Sequence, residues 1–551
     1  DFNFYEKIKV PPPTFCPECR RQRRFAWRNE RSLYKRICDL CKKSIISMYP
    51  ESTAFPVYCR ECWYGDSWDA ESYGRDYDLN KSFFEQFKEL SDTVPKLALW
   101  QRNVVNSEYS NMVGESKNVY LSTSVVEDSE NVFYSKSIDK SKDVVDSMNV
   151  LKGENLYENV EAQSNYNSQY LLLCRNCIDS FFLVDCVNCS NCFMSYNLRN
   201  KEYCIRNKQY SREEYFIELE KINLKSRNIR EQLIKEFEEL KKKSIYRFAN
   251  ITKSVDATGN NCLNVKNTKF CFEVYNSENL KYAYRVFGMK DSMDLEYGAD
   301  SELMYEYTTG ATKDYNVKFS YSALGSVKDV DYTESCINCT NIFGGISLRN
   351  KENIILNKKY TREEYLKLRE IIIKQMNELP FVDCLGRVYT YGEFFPIEIS
   401  PFAYNESIAQ EFMPKTKEEA LKNGYRWKDI DLKNFNVTIP PAQNPDAVDC
   451  VDDNILKEVF GCAHGALCNH QCNQAFRIAE YEFSFYKKHG IPVPVLCPNC
   501  RYYERKKVMP VLSLWRRKCM NKNCNNEFET SYSPDRPEKI YCESCYNKEI
   551  Y

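Results

Sequence analysis

The residues best suited to chemistry are cysteines, of which the chain has 27 among 551 residues. Many stand in pairs with two to four residues between them. These pairs are Cys16 with Cys19, Cys38 with Cys41, Cys59 with Cys62, Cys468 with Cys472, Cys497 with Cys500, Cys519 with Cys524, and Cys542 with Cys545. Two such pairs place four thiolates around one metal ion, because each comes from a tight turn. The spacing predicts structural Zn²⁺ at both ends, although four thiolates also suit iron.

The two ends repeat one pattern, because segment 16–20 (CPECR) matches segment 497–501 (CPNCR) and segment 1–5 matches segment 482–486. In the C-terminal copy we expect Cys468 and Cys472 to complete the site of the CPNCR pair. The corresponding partners of the CPECR pair would precede Asp1. We therefore expect a sequence truncated at its start, with three complete zinc sites and an incomplete one. Three further candidate ligands stay open: Cys462, His464 and His470.

Segment 485–490 (FYKKHG), followed by Pro494 and the CPNCR segment, resembles a family described as a probable zinc-ribbon domain. The layout of the whole chain resembles an uncharacterised group of large zinc-ribbon proteins from candidate-phylum bacteria and phages. The first resemblance implies terminal zinc-ribbon or treble-clef-like modules. The second covers most of the chain and implies no established activity.

The middle of the chain has a twelve-residue repeat in which Asn or Asp recurs at one place, as at Asn131, Asp143 and Asn155. Short runs rich in Val, Phe, Tyr and Ser follow, which is strand composition closed by a turn residue. The array occurs twice, since segment 198–202 (LRNKE) recurs at 348–352. A fixed short period predicts a β-solenoid, in which each coil packs on its neighbours. The alternative is an antiparallel β-meander.

The repeat also bears on six cysteines that resemble another metal cluster: Cys174, Cys177, Cys186, Cys189, Cys192 and Cys204. In the second copy Cys192 is replaced by Ile342 and Cys177 by Val327. An aliphatic side chain can replace a buried cysteine but not a metal ligand. We therefore predict core packing for this group, with metal binding as the alternative.

The chain is expected to be mainly β with short helices, divided into six regions. These are an N-terminal zinc module (1–75), a helical linker (76–115), a first β-repeat array (116–245), a second (246–380), a mixed region (381–460) and a C-terminal zinc module (461–551). Capping boxes predict helix starts at Ser211, Thr361 and Thr416.

Both modules are basic, since residues 1–64 hold 13 Lys and Arg against 7 Asp and Glu, whereas the whole chain has a net charge of −1. Guanidinium groups pair with phosphates and flat rings stack on bases, so the modules suit RNA or DNA. The candidate residues are Arg20, Arg21, Arg23, Arg24, Trp27, Arg28, Arg31, Lys35, Arg36, Arg501, Arg505, Lys506, Lys507, Trp515, Arg516 and Arg517. The alternative is that these arginines neutralise thiolates or pair with the acidic middle of the chain.

Catalysis is not expected, because the three histidines all lie near the C-terminal cysteines and no phosphate-binding loop or hydrolase motif is present. Four-cysteine sites are closed, which indicates a structural metal. No apolar run is long enough to cross a bilayer, so we expect a cytoplasmic protein without a membrane or small-molecule partner. The leading hypothesis is a non-enzymatic protein that binds nucleic acid; the alternative is a scaffold that binds proteins through the solenoid.

Overall fold

A computed structural model describes residues 1–310, 312–322, 325–429 and 435–551. The fold is mainly β, with 32% strand and 24% helix, and cysteine clusters lie near both termini. This confirms the predicted fold class at that level. Leu324, which the sequence aligns with Cys174, lies outside the described residues.

The described residues include twelve α-helices, labelled α1 to α12 in chain order: Phe2–Ile8, Pro17–Phe25, Arg60–Tyr64, Phe83–Ser91, Arg212–Glu220, Arg227–Lys243, Arg362–Glu378, Ile408–Phe412, Lys417–Lys422, Glu480–His489, Pro498–Lys506 and Glu543–Ile550. Short 3₁₀ helices span Ala70–Tyr73, Ile397–Ile399, Tyr404–Glu406, Pro441–Gln443, Val448–Cys450 and Asp453–Lys457. The capping boxes predicted at Ser211, Thr361 and Thr416 are confirmed.

Two large sheets occupy the middle of the chain. The first sheet has strands Gln101–Val105, Asn111–Tyr120, Thr123–Val126, Glu130–Phe133, Lys136–Asp139, Lys142–Val145, Met148–Leu151, Glu154–Tyr157, Val160–Gln163, Tyr166–Leu172, Phe181–Val184, Ser190–Tyr196, Glu202–Ile205 and Lys208–Gln209. The second sheet has strands Ile251–Thr252, Val255–Leu263, Lys266–Tyr275, Glu278–Lys281, Tyr284–Phe287, Lys290–Met293, Glu296–Ala299, Glu302–Tyr305, Tyr315–Lys318, Lys328–Asp331, Thr340–Phe343, Glu352–Ile355 and Lys358–Lys359.

The remaining strands form small two-stranded sheets. Four are antiparallel: Tyr34–Ile37 with Ser44–Ser47, Phe381–Val382 with Val388–Tyr389, Phe460–Gly461 with Ala475–Phe476, and Trp515–Lys518 with Glu527–Thr530. Two are parallel and join a module to the segment that leads into a large sheet: Val57–Tyr58 with Lys96–Leu97, and Ile245–Arg247 with Lys539–Tyr541.

The repeat sets the register of the first sheet, because strand 130–133 pairs in parallel with strand 142–145, which pairs with strand 154–157. Strand 136–139 pairs in the same way with strand 148–151, so alternate strands form two neighbouring stacks. Strand Lys208–Gln209, which ends the sheet, is antiparallel. An antiparallel β-meander requires antiparallel pairs throughout, so that alternative is wrong.

The recurring Asn and Asp residues lie at corners of the backbone. Residues with φ near +55° recur at every third position, and Asn131 (φ 56°), Asp143 (φ 54°) and Asn155 (φ 53°) are among them. Asn and Asp tolerate this left-handed conformation better than most residues do. The amide of Asn131 also donates to Asp143 Oδ1 at 2.7 Å, so the side chains of neighbouring repeats are hydrogen-bonded.

The terminal modules pack on the sheets in a crossed order. One hydrophobic cluster joins the N-terminal module to the second sheet, and includes Trp27, Trp63, Val317 and Ile342. Two other clusters join the C-terminal module to the first sheet. Each module is therefore stabilised by the sheet that is more distant from it in sequence.

Candidate metal centres

The first candidate centre lies in the N-terminal module and comprises Cys38, Cys41, Cys59 and Cys62. Their sulfur atoms all lie within 4.8 Å of one another, and the Cys41 and Cys59 sulfurs are 3.8 Å apart. The first pair flanks the turn between strands Tyr34–Ile37 and Ser44–Ser47. The second pair spans the start of α3, where the Cys59 amide donates to the Cys38 sulfur at 3.3 Å. Two local turns thus bring the four thiols together.

The second candidate centre lies in the C-terminal module and comprises Cys519, Cys524, Cys542 and Cys545, again within 4.8 Å. The Cys524 and Cys542 sulfurs are 3.8 Å apart, and the Cys542 amide donates to the Cys519 sulfur at 3.4 Å. The geometry therefore repeats that of the N-terminal centre. The structure therefore brings together both predicted sets of four cysteines, in arrangements that could hold a metal ion.

The third candidate centre differs from the prediction. The four-sulfur group consists of Cys462, Cys472, Cys497 and Cys500, all of them buried. Cys468 was predicted to share this site with Cys472, and Cys462 takes that place instead. Cys468 belongs to a second group with His464, His470 and Cys500. The spacing of Cys468 and Cys472 predicted that these two residues bind the same ion. The conformation of loop 462–474 instead places Cys462 near Cys472, at the end of the hairpin.

The sulfur–sulfur distances fit a tetrahedral metal ion. Four sulfurs about 2.3 Å from a tetrahedral zinc ion lie about 3.8 Å from one another. The separations of 3.8, 3.8 and 3.9 Å in the three four-sulfur groups agree with that value. A disulfide would require about 2.05 Å. Each group offers four protein ligands, so a bound ion would be closed to substrate.

In each of the first two groups the pKa of one thiol is lowered, although burial raises the pKa of Cys62 in the first group and of Cys545 in the second. A hydrogen bond from the backbone at Lys43 is the main cause that lowers the pKa of Cys41 to about 7. At Cys542 burial acts in the opposite direction, but hydrogen bonds from Ser544 and from the backbone at Cys545 lower its pKa to about 6. Metal binding needs the deprotonated sulfur, so these shifts assist it.

Cys16 and Cys19 are exposed, and the Cys19 amide donates to the Cys16 sulfur at 3.4 Å. This is the geometry of a knuckle. Within the described ranges, however, neither residue belongs to a group of three or more metal-ligating side chains.

The six cysteines of the first sheet do not form a metal group in the described part of the chain. All six are buried, and they pack with Leu171 and Leu183 in one apolar cluster. Their thiols donate to backbone carbonyls, as from Cys174 to Leu172 O at 3.4 Å. The structure therefore supports the prediction that these six cysteines pack in the core.

Burial contradicts more than half of the nucleic-acid prediction. Nine of the predicted contact residues are buried: Arg20, Arg21, Arg23, Arg24, Trp27, Arg28, Arg36, Arg501 and Arg505. A side chain inside the protein cannot reach a phosphate or a base. The other predicted residues are at least partly exposed: Arg31, Lys35, Lys506, Lys507, Trp515, Arg516 and Arg517.

The buried arginines of α2 pair with carboxylates of the second sheet. Arg20 lies 2.7 Å from Asp294, Arg24 lies 2.6 Å from Glu296, and Arg23 lies 2.7 Å from Glu306. All three carboxylates have no exposed side-chain surface. Buried charges persist only when they are paired, so the basic helix and the acidic sheet require one another. For these three arginines, the alternative prediction is correct: they pair with the acidic middle of the chain.

The C-terminal module repeats this interface on the first sheet. Arg501 and Arg505 of α11 occupy the places of Arg20 and Arg24 in the matching segments. Arg501 lies 3.0 Å from Asp146, and Arg505 lies 2.8 Å from Asp146 and 2.9 Å from Glu158. The same pattern of residues thus holds each module to a sheet.

A junction of four regions surrounds Glu411 of α8. Its carboxylate lies 3.0 Å from the Lys136 ammonium of the first sheet and accepts a hydrogen bond of 2.6 Å from Tyr502. Burial acts to raise the pKa of Glu411, but the charges of Lys136 and Arg31 outweigh it and lower the pKa to about 2. Sequence reasoning missed this residue, because no local pattern marks a carboxylate whose partners are distant in sequence.

The chain matches no family model, no curated protein and no solved structure. Over the described residues, no helix is both long and apolar enough to cross a membrane. The arrangement of side chains is therefore the basis for any functional argument. That arrangement consists of closed cysteine groups that can hold metal, tied by buried ion pairs to two large parallel sheets.

Proposed function

We propose that this chain is a non-enzymatic scaffold in which structural zinc folds the terminal modules and two β-solenoids present a surface to protein partners. The observation that supports it most is the burial of the arginine helices. Basic groups that could have bound nucleic acid are used to fasten each module to a sheet. With these helices buried, the large sheets are the surface that we propose for partner binding.

Zinc is the metal we propose, because closed sites of four cysteines are typical of structural zinc, although four thiolates also suit iron. The expected role is structural, since closed sites leave no open coordination position. Membership of the uncharacterised zinc-ribbon group, and a cytoplasmic location, are part of the same proposal.

The binding surface that we propose combines an amide ladder with apolar side chains. The Asn188 amide donates to Asn200 at 2.9 Å, and at the matching place of the second sheet Asn338 donates to Asn350 at 2.7 Å. Such rows are rigid and evenly spaced. They offer donors and acceptors without a net charge, which suits a protein partner better than a phosphate backbone.

Two exposed apolar residues lie on the same array as the first ladder. Tyr166 and Ile178 are 45% and 44% exposed, and a parallel β-bridge joins them. Their backbone is part of the sheet, so they would lose little conformational freedom on binding. Exposed tyrosine next to aliphatic surface is typical of the residues that dominate protein interfaces.

Co-purification from cells compares the intact chain with a Tyr166→Glu/Ile178→Glu variant and with a Tyr109→Glu control on an exposed residue elsewhere. We expect a set of proteins that the double variant loses and the control retains. If no protein distinguishes the three chains, the scaffold proposal is wrong. A metal measurement on the same preparations tests the zinc component separately.

A second candidate function is binding of nucleic acid by the strand Trp515–Lys518. Arg516 and Lys518 expose 80% and 77% of their side chains, although both lie near Glu527. Labelled RNA or single-stranded DNA would be titrated at several salt concentrations. Binding that weakens steeply with salt and is lost in Arg516→Ala/Lys518→Ala would favour this candidate over the scaffold.

A further inference from the structure

The C-terminal hairpin loop brings seven metal-ligating residues together around one cysteine. The loop 462–474 joins strands Phe460–Gly461 and Ala475–Phe476, and it faces the start of α11. One group of four is Cys462, Cys472, Cys497 and Cys500, and the other is His464, Cys468, His470 and Cys500. Within each group the ligand atoms lie within 4.8 Å of one another. Cys500 is the member that the two groups share.

We propose that this loop holds two zinc ions bridged by the Cys500 thiolate. This proposal rests on the structural zinc proposed above and adds a fourth ion that the cysteine pairs did not predict. One ion would have three terminal thiolates, the other would have one thiolate and two imidazoles, and both would share the bridge. Each would then have a complete tetrahedral set, of S₄ and S₂N₂ composition, and both compositions are typical of zinc.

The distances around Cys500 support a shared ligand. Its sulfur lies 3.6 Å from the Cys468 sulfur, close to the edge of about 3.8 Å expected for a zinc tetrahedron. Cys500 is fully buried at the start of α11, between the two groups. A thiolate has enough lone pairs to bind two ions at once.

The histidines carry an independent sign of a missing ligand. Nδ1 of both His464 and His470 is buried and has no hydrogen-bond partner among the described residues. A buried polar atom without a partner is costly, and such atoms in native proteins call for an explanation. A metal ion near the two rings removes that cost, because one nitrogen of each ring becomes a ligand.

Two residues of α11, Tyr503 and Glu504, lie beside the histidine rings. The Glu504 carboxylate lies 4.0 Å from Nε2 of His464 and 3.8 Å from Nδ1 of His470, and both distances exceed that of a hydrogen bond. With Nδ1 of His464 on the ion, its Nε2 would face this carboxylate, the kind of group that orients a metal-bound imidazole. The His470 ring also stacks on Tyr503, with centroids 5.4 Å apart and planes at 11°.

The number of sulfur ligands also favours a second ion. Five cysteine sulfurs crowd this loop, and one tetrahedral ion can bind only four of them. A second ion gives a role to Cys468, which the four-sulfur group excludes.

The zinc content of the full-length chain tests the proposal directly. Elemental analysis of purified protein should find about four zinc ions per chain: one in each mononuclear cysteine group and two in the loop. The double variant His464→Ala/His470→Ala should lose one ion and keep the four-sulfur group. The variant His489→Ala is the matched control, because it changes the third histidine of the chain, which belongs to neither group.

A spectroscopic measurement distinguishes a bridge from two alternative positions of a single ion. In protein loaded with ¹¹³Cd, two ions that share a thiolate should show a mutual coupling in their resonances, which the double histidine variant should lose. Cys468→Ser should lose the same single ion, so the test does not depend on one variant folding well.

Three zinc ions per chain, unchanged by the histidine replacements, would overturn the bridged pair and leave the structural zinc proposal intact. A chain without zinc would overturn both. Four ions without mutual coupling would overturn the bridge.

Discussion

Arg505 and Asp146 form a buried ion pair, with Nη1 and Oδ1 2.8 Å apart, although they come from opposite halves of the chain. Their exposed side-chain fractions are 3% and 0%. The same relationship joins Arg20 to Asp294 at the other module. These pairs determine which sheet each module contacts, because a buried charge without its partner is unstable.

Removing one member of this pair should destabilise the protein strongly. Arg505→Ala leaves Asp146 buried with one fewer partner, and we expect a loss of about 3–5 kcal/mol in the free energy of unfolding of the C-terminal half. Chemical denaturation followed by tyrosine and tryptophan fluorescence measures it. Lys507→Ala, an exposed change two residues further along the chain, should alter stability by less than about 0.5 kcal/mol. Equal effects of the two changes would contradict the interface described here.

Removing metal should unfold the modules before the sheets. Zinc binding contributes folding free energy to small cysteine-rich modules, so a strong chelator should expose residues 34–62 and 515–545 to solvent. Hydrogen exchange with mass spectrometry resolves these segments from the large sheets. A Cys384→Ser/Cys450→Ser chain, altered at two exposed cysteines outside every metal group, is the control and should keep its metal. Unchanged exchange in a chain shown to be metal-free would disprove a folding role.

Glu411 should make a pH-dependent contribution to stability. Its pKa falls from an ordinary value of 4.5 to about 2 in the folded protein. A depressed carboxyl pKa stabilises the fold fully above the unfolded value, and that contribution is lost as pH falls from 4.5 towards 2. The shift corresponds to roughly 3 kcal/mol.

The measurement is the difference in unfolding free energy between the intact chain and Glu411→Gln, followed from pH 7 to pH 3. The difference should be constant above about pH 5 and should shrink below the ordinary pKa of the carboxyl. Taking the difference cancels the acid-dependent loss of metal that both chains share. A difference that grows as the pH falls would contradict the assigned shift.

The corner residues should tolerate substitutions according to their backbone conformation. Asn131 has φ 56° and donates to Asp143. Asn131→Val places a β-branched side chain in the left-handed region and removes the hydrogen bond, so we expect a loss of about 2 kcal/mol or more. Asn131→Gly removes only the hydrogen bond and should cost less. Thermal unfolding of the two variants orders them, and a more stable valine variant would refute the corner assignment.

The buried cysteines of the first sheet should be replaceable by aliphatic residues. Cys177→Val introduces the residue that the second sheet has at Val327, and the zinc content should stay the same. Cys177→Val should also retain most of the stability, because a side chain of similar size fills the same core. Cys59→Val, at a residue of a metal group, is the contrasting variant and should lose one ion.

The sequence by itself determined the features that depend on neighbouring residues. Cysteine pairs a few residues apart predicted two four-sulfur groups, because a tight turn defines their geometry locally. The Asn and Asp period marked corners that follow from backbone sterics, and Ser211 and Thr361 marked helix starts. Cys192 and Ile342 together indicated a core position rather than a ligand.

Only the tertiary structure decided which distant residues meet. Both sheets precede the last module in the sequence, and nothing local specifies that Arg501 contacts Asp146 or that Arg20 contacts Asp294. A basic helix has the same sequence whether it faces phosphate or a buried carboxylate, so its role depended on packing. Likewise, Cys462 and Cys468 offer the same thiol chemistry, so the sequence does not distinguish them as ligands. Only the conformation of the loop shows that Cys462 completes the four-sulfur group and that Cys468 does not.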